Sequence, residues 1–318
     1  MPDPPVSVLY IAGAGRSGST LLELLLARRR NMVPVGELRF IWQRGVVEDH
    51  LCSCGQPFST CPFWTEVLDR AYGPSADAVA AEMLDLDVRL DRMRRIPQMR
   101  IPQLRRNGFA PEFERYGDLL AKLYRSVLNV SGADAVIDSS KEPPYAFALA
   151  ASPGIDPFVV HLVRDSRAVA YSWQRTKVRP EISTRVQYMR RFEPASSARE
   201  WLRKNALFEL MAVSHRGGYQ RLLYEDFTRD PERHIEDVVR RWRAAGHPDP
   251  GEVVEGAREV HSVSGNPIRF DREVMAVRPD MEWRERMDSR TRRTVALLTL
   301  PLLVRYGYVP DRHAGVGS

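Results

Sequence analysis

Residues 6–30 read VSVLYIAGAGRSGSTLLELLLARRR, and this stretch decides the fold. Val6, Val8, Leu9, Tyr10 and Ile11 form a short apolar run, the pattern of a buried strand. The glycine-rich turn 13–20 follows, and Leu21, Leu22, Leu24, Leu25 and Leu26 continue as a helix that ends in three arginines. Strand, glycine-rich turn and helix together make an anion cradle. Successive backbone N–H groups and the positive end of the helix dipole point at one spot. The spacing approaches the Walker A pattern G-x-x-x-x-G-K-[ST], with Gly13 and Gly18 as its glycines and Thr20 at its last position. Ser19 stands where that pattern needs lysine. The charge that reaches the β- and γ-phosphates of a triphosphate is therefore missing. The turn carries its cation at Arg16, whose planar guanidinium can fork onto two oxygens of a phosphate or sulfate.

The 318 residues suffice for one large α/β domain, and 43% hydrophobic with 28% charged residues is ordinary for a globule. No apolar run approaches the roughly 20 residues needed to span a membrane. Residues 1–5, MPDPP, show neither a basic region nor a cleavage site of small residues, so 6–12 reads as a core strand and a cytoplasmic enzyme is expected. A net charge of +6 and a pI near 9.4 fit nucleic acid or a small polyanion. No helix shows a basic face interleaved with aromatics, so the small polyanion is favoured and no nucleic-acid partner is expected. Lysine occurs only at 122, 141, 177 and 204, which singles out any lysine that falls in a site. Cys52, Cys54 and Cys61 cluster in the spacing C-x-C-x6-C. Three readings stay open: reduced thiols, an intraloop disulfide, or zinc with His50 as fourth ligand.

Four further strands are expected. Met32–Val35 runs into Gly36-Glu37. Ala135–Asp138 runs into Ser139-Ser140-Lys141. Phe158–Val163 ends at Arg164, before a helix capped by Ser166. Tyr219–Tyr224 is the fifth. Open parallel sheets bind ligands beyond the carboxyl ends of their strands. Glu37, Lys141 and Arg164 thus belong beside the turn, with Ser172 two helical turns after Arg164. His161, inside an apolar strand, reads as a core residue. Residues 64–131 carry helical periodicity broken at Ile96-Pro97 and Ile101-Pro102. Residues 174–200 are polar and arginine-rich, either a cover over an acceptor or a solvated loop.

Arg16-Ser17-Gly18-Ser19-Thr20-Leu21-Leu22 resembles the 5′-phosphosulfate loop of the sulfotransferases, which use 3′-phosphoadenosine 5′-phosphosulfate (PAPS) as donor. The Arg-Ser-Gly form is similar to the carbohydrate, tyrosylprotein and bacterial branches rather than the eukaryotic cytosolic branch. Arg164 followed by Ser172 resembles the family's 3′-phosphate motif. Ser262–Phe270 resembles its C-terminal loop, which brings in Gly265, Asn266 and Arg269. The resemblance implies one P-loop-like α/β domain with a central, mostly parallel five-stranded sheet flanked by helices and a helical cap over about 64–131. It implies that Ser17, Gly18, Ser19 and Thr20 hold the 5′-phosphate, and that Arg164, Ser172 and Arg269 hold the 3′-phosphate. Tyr224 would lie near the adenine, with a core tyrosine as the alternative. Arg16 and Lys141 would neutralise the sulfuryl group. The cytosolic branch places a catalytic His two residues after that Lys; here the position is Pro143, so the base becomes Glu37, as in the Gly-Glu of the tyrosylprotein branch, with Glu142 as runner-up. The implied activity is sulfuryl transfer from PAPS to a hydroxyl of a small-molecule acceptor, with no metal required. A P-loop phosphotransferase, with Asp138 the only magnesium candidate, and a non-catalytic nucleotide-binding protein are the alternatives. Neither the acceptor nor the oligomeric state is written in the sequence.

Overall fold

The computed structural model describes residues 4–106, 108–182, 186–215, 217–251, 259–271 and 277–309. Five strands, β1 (Val6–Ala12), β2 (Met32–Gly36), β3 (Ala135–Asp138), β4 (Ile155–Val163) and β5 (Tyr219–Leu223), form one sheet in the order β2-β3-β1-β4-β5. Every pairing is parallel, with Leu9 opposite both Ile137 and Phe158. A parallel sheet is covered on both faces, which explains the unbroken apolar run of β1. Val8, Tyr10 and Ala12 join one core cluster, while Leu9 and Ile11 join another on the opposite face.

The helices are α1 (Ser19–Arg29), α2 (Pro62–Tyr72), α3 (Ala76–Leu90), α4 (Ile96–Arg100), α5 (Phe109–Ser131) and α6 (Pro143–Ala151). They continue with α7 (Ser166–Gln174), α8 (Pro194–Ala212), α9 (Tyr224–Arg229), α10 (Pro231–Ala244), α11 (Trp283–Arg286) and α12 (Ser289–Arg305). Leu22, Leu25 and Leu26 of α1 pack with Val238 and Trp242 of α10 on one face of the sheet. The expected helical segment supplies α2 to α5, and its Trp64, Met83, Phe113 and Leu123 share a core with the other face. Among the described residues no helix is long and apolar enough to cross a membrane.

Several boundaries differ from expectation. The N-cap of α7 is Asp165, whose carboxylate accepts from the Arg167 N–H at 2.8 Å, while the Ser166 hydroxyl bonds that of Thr299. β4 begins three residues before Phe158, and Tyr224 opens α9 instead of closing β5. Residues Ile41–Val47 form a π-helix, a wide turn that no sequence pattern announced.

Candidate active site

The turn after β1 is built by backbone constraint. Gly13 lies at φ +135°, and a Cβ there would sit 2.3 Å from the Leu162 carbonyl oxygen. Gly18 lies at φ +91°, with the Tyr224 ring 2.6 Å from where its Cβ would be. Gly18 is also the N-cap of α1 and offers no side chain, so the first amides of that helix keep their donors for a ligand. Arg16 takes a left-handed φ of +69°, a cost that a non-glycine residue bears where the fold over-determines it. Ser17 Oγ and the Nε atoms of Arg16 and Arg164 are buried with no hydrogen-bond partner. Buried donors of this kind are what an absent oxyanion would satisfy.

Glu37 follows β2, Lys141 follows β3 and Arg164 follows β4, so the parallel sheet delivers all three to one edge. Lys141 Nζ lies 2.9 Å from Glu37 Oε1 and also donates to the Ser139 carbonyl. Glu37 Oε2 accepts from Ser264 Oγ at 3.1 Å and faces Arg44 Nη1 at 3.4 Å. The π-helix presents Arg44, which also bonds Ser264 Oγ and rests on the Phe40 ring at 4.1 Å. Burial works to raise the pKa of Glu37, but Lys141 and Arg44 overcome it and hold it at about 2. Glu142 is bound by Lys204 Nζ at 2.6 Å, and burial shifts its pKa upward.

Arg164 donates to the Arg16 carbonyl at 3.0 Å, pairs with Asp280 Oδ2 at 3.0 Å, and lies over the Tyr224 ring at 4.4 Å. The guanidinium of Arg164 and the glycine-rich turn therefore meet across one wall. Both open into a cavity of about 900 Å³ that is also lined by Glu37, Lys141, Glu142 and Ser172. Nine Lys or Arg side chains and six Asp or Glu line it, an excess of positive charge that suits a polyanion.

No protein-family model matches the sequence, and no curated protein matches it. Among solved structures, the chain is similar to the sulfotransferase domain of the Synechococcus PCC 7002 olefin synthase, with a TM-score of 0.53 over 96% of each chain at 18% identity. The chain shares a sulfotransferase-domain fold. The sulfotransferase domain from the curacin biosynthetic pathway is matched at a TM-score of 0.44 and 14% identity, over 94% of this chain and 99% of that one.

Within this sulfotransferase fold, Arg16, Gly18, Ser19, Thr20, Glu37, Lys141, Glu142, Arg164, Ser172, Tyr224, Gly265 and Asn266 all line the one cavity. Ser17, buried within the turn, and Arg269 are not among the residues that line the cavity. The Arg269 guanidinium donates to the carbonyls of Ser262 at 2.5 Å and Leu51 at 3.1 Å. Both Nη atoms of Arg269 are thus engaged by carbonyls of two separate segments, while its Nε is buried with no partner. Asp138 accepts from the Tyr124 hydroxyl and the Ser140 N–H, and lies outside the cavity lining. His161 bonds Asn205 at 2.7 Å and Tyr219 at 2.6 Å, and burial lowers its pKa to about 4, so it is a core residue.

The structure adds residues that sequence reading passed over. Arg44, Lys177, Lys204, Trp173 and Asp280 all line the cavity. Three of the four lysines thus fall in it, so the scarcity of lysine was the usable signal. The polar segment after α7 covers one side. Val178 and Tyr188 form an antiparallel bridge, and Met189 Sδ accepts from Arg16 Nη2 at 2.9 Å. Arg16 also lies over the Trp173 ring at 4.7 Å.

The three cysteines are not disulfide-bonded. Their neighbour is His261, with Cys61 Sγ 3.3 Å and Cys52 Sγ 3.7 Å from its Nδ1. His50 is instead paired with Glu48 at 3.0 Å. The fourth member of the cluster therefore comes from some 200 residues away, not from the adjacent position.

Proposed function

We propose that this protein transfers a sulfuryl group from PAPS to a hydroxyl of a small-molecule acceptor. The observation that carries the reading is that the turn at Arg16 and the Arg164–Ser172 pair, far apart in sequence, line one cationic cavity. The turn amides with Ser17, Gly18, Ser19 and Thr20 hold the 5′-phosphate. Arg164 and Ser172 hold the 3′-phosphate, which takes the place of the Asp280 carboxylate on the guanidinium. Tyr224, packed against Gly18, backs the nucleoside, and Gly265 and Asn266 close the other side.

The reaction moves one proton and one sulfuryl group. The acceptor oxygen bonds to sulfur, the bond from sulfur to the 5′-phosphate oxygen breaks, and the acceptor proton passes to Glu37. Lys141 shifts from Glu37 onto the sulfuryl and bridging oxygens, where Arg16 assists it, so charge that grows in the transition state meets fixed cations. Releasing Lys141 also removes the largest charge holding the Glu37 pKa down, which raises its basicity as the donor arrives. Glu142 remains tied to Lys204 and is the second choice of base.

Calorimetric titration with adenosine 3′,5′-bisphosphate and adenosine 5′-monophosphate tests the donor site, alongside a PAPS-dependent screen of hydroxyl compounds read by mass spectrometry. The bisphosphate should bind at least about tenfold more tightly, since a charge-assisted phosphate contact is worth more than 1 kcal/mol. Arg164→Ala should erase the difference. Equal binding of both nucleotides by the wild-type protein would refute the proposal.

A further inference from the structure

Cys52 and Cys54 sit in a small hairpin closed by an antiparallel bridge between Leu51 and Pro57. Gly55, at φ +91°, makes its turn and donates to the Cys52 carbonyl at 2.9 Å. Cys61 immediately precedes α2 as its N-cap residue. His261 comes from a distant segment of the chain. The four ligand atoms all lie within 4.8 Å of one another.

Bond lengths of about 2.3 Å for Zn–S and about 2.0 Å for Zn–N imply tetrahedral edges of about 3.8 Å between sulfurs and about 3.5 Å from sulfur to nitrogen. Cys54 and Cys61 are 3.7 Å apart, and the two sulfur-to-Nδ1 separations are 3.3 and 3.7 Å. A disulfide needs about 2.05 Å, and these distances are far from it. The imidazole is also held for ligation. Phe63 stacks on it at 4.8 Å and 8°, and Glu259 faces its other nitrogen at 3.8 Å. That separation is an ion-pair contact rather than a hydrogen bond, and it leaves Nδ1 on the side of the sulfurs.

We infer that Cys52, Cys54, Cys61 and His261 bind one Zn²⁺ ion in a closed, structural site. Three thiolates and one imidazole are the donor set zinc prefers, and four protein ligands leave no position for a substrate. The ion ties the 51–61 hairpin to residues 259–264. That second segment donates the Val263 N–H to Val35 at 2.8 Å and brings Ser264 Oγ to Glu37. The metal thus braces the loop beside the candidate base while remaining outside the cavity.

The test is elemental analysis of the full chain, purified without chelators or nickel resin. About one zinc per chain is expected in the wild-type protein, and under about 0.2 in Cys54→Ser and in His261→Ala. Cobalt substituted for zinc should give the intense visible bands of a tetrahedral thiolate site. Zinc removal should speed hydrogen exchange in 51–61 and 259–264 at least about tenfold, with β1 and β4 unaffected. The wild-type measurement does not depend on the variants folding, nor on whether the protein transfers sulfuryl groups. Wild-type protein that holds under about 0.2 zinc after refolding with the metal, with three free thiols counted after denaturation, overturns the inference. So does a Cys–Cys crosslink in non-reducing peptide maps of freshly isolated protein.

Discussion

Glu37→Gln is expected to do three separable things. The carboxylate is held at about 2 against an ordinary 4.5, and its side chain is only 15% exposed. At 1.36 kcal/mol per pKa unit, the ionised form is favoured in the fold by about 3 kcal/mol. A depressed acid pKa gives stability that is fully present above pH 4.5 and lost as pH falls toward 2. The variant should therefore be less stable by up to about 3 kcal/mol at pH 7, with the gap narrowing near pH 3. Donor affinity should move the other way. A negative charge beside a bound anion opposes it, by a few kcal/mol at most at an effective dielectric of about 20. Its removal also frees Lys141, so adenosine 3′,5′-bisphosphate should bind roughly tenfold or more tightly. Turnover should still fall by about 10²- to 10⁴-fold, the share a general base supplies. Urea melts, calorimetry with the bisphosphate and a PAPS-dependent assay read the three effects. Weaker nucleotide binding, or an unchanged rate, would refute the reasoning.

Gly18→Ala places a Cβ at φ +91° and 2.6 Å from the Tyr224 ring. Backbone strain alone costs about 1–2 kcal/mol, so the melting temperature should fall by about 2–3 °C and bisphosphate binding should weaken at least about tenfold. Asp280→Asn removes the carboxylate that pairs with Arg164, and bisphosphate affinity measured by calorimetry should rise, while monophosphate affinity changes less. Glu23, buried in α1, accepts from the Gly36 N–H at 2.6 Å and Ser139 Oγ at 2.7 Å, and burial lifts its pKa from 4.5 to about 7. A raised acid pKa makes the folded state hold its proton longer, so stability falls as pH rises from 4.5 through 7. Glu23→Gln should remove that slope, about 3 kcal/mol in all, and parallel urea melts at pH 5 and pH 8 check it.

The features that could be read from sequence were those whose physics is local or periodic. β1, its turn and α1 follow from an apolar run, glycines and leucines within 25 consecutive residues. Glu37, Lys141 and Arg164 could be brought together because a parallel sheet sends every strand end to one edge. The sequence did not show where a long side chain turns. Arg269 lies in the expected loop, yet its guanidinium turns to the Ser262 and Leu51 carbonyls, which come together only after folding. His50 could be named as a fourth ligand and His261 could not, because chain proximity is the only guide a sequence offers. Ser166 and Asp165 are both good capping residues, and only backbone geometry chooses between neighbours. Lys204 was hidden in an amphipathic helix, although its rarity marked it.

The wide turn at Ile41–Val47 has a consequence for how this protein tolerates change in length. Each residue of an α-helix advances the chain by about 100° around its axis, and each residue of this wider coil by less. Deleting a single residue there would tighten the coil and swing Arg44 away from Glu37, leaving Lys141 alone opposite that carboxylate. Homologous chains that differ by one residue in this segment should therefore differ in the charge around the base, even where every residue that touches the nucleotide is the same.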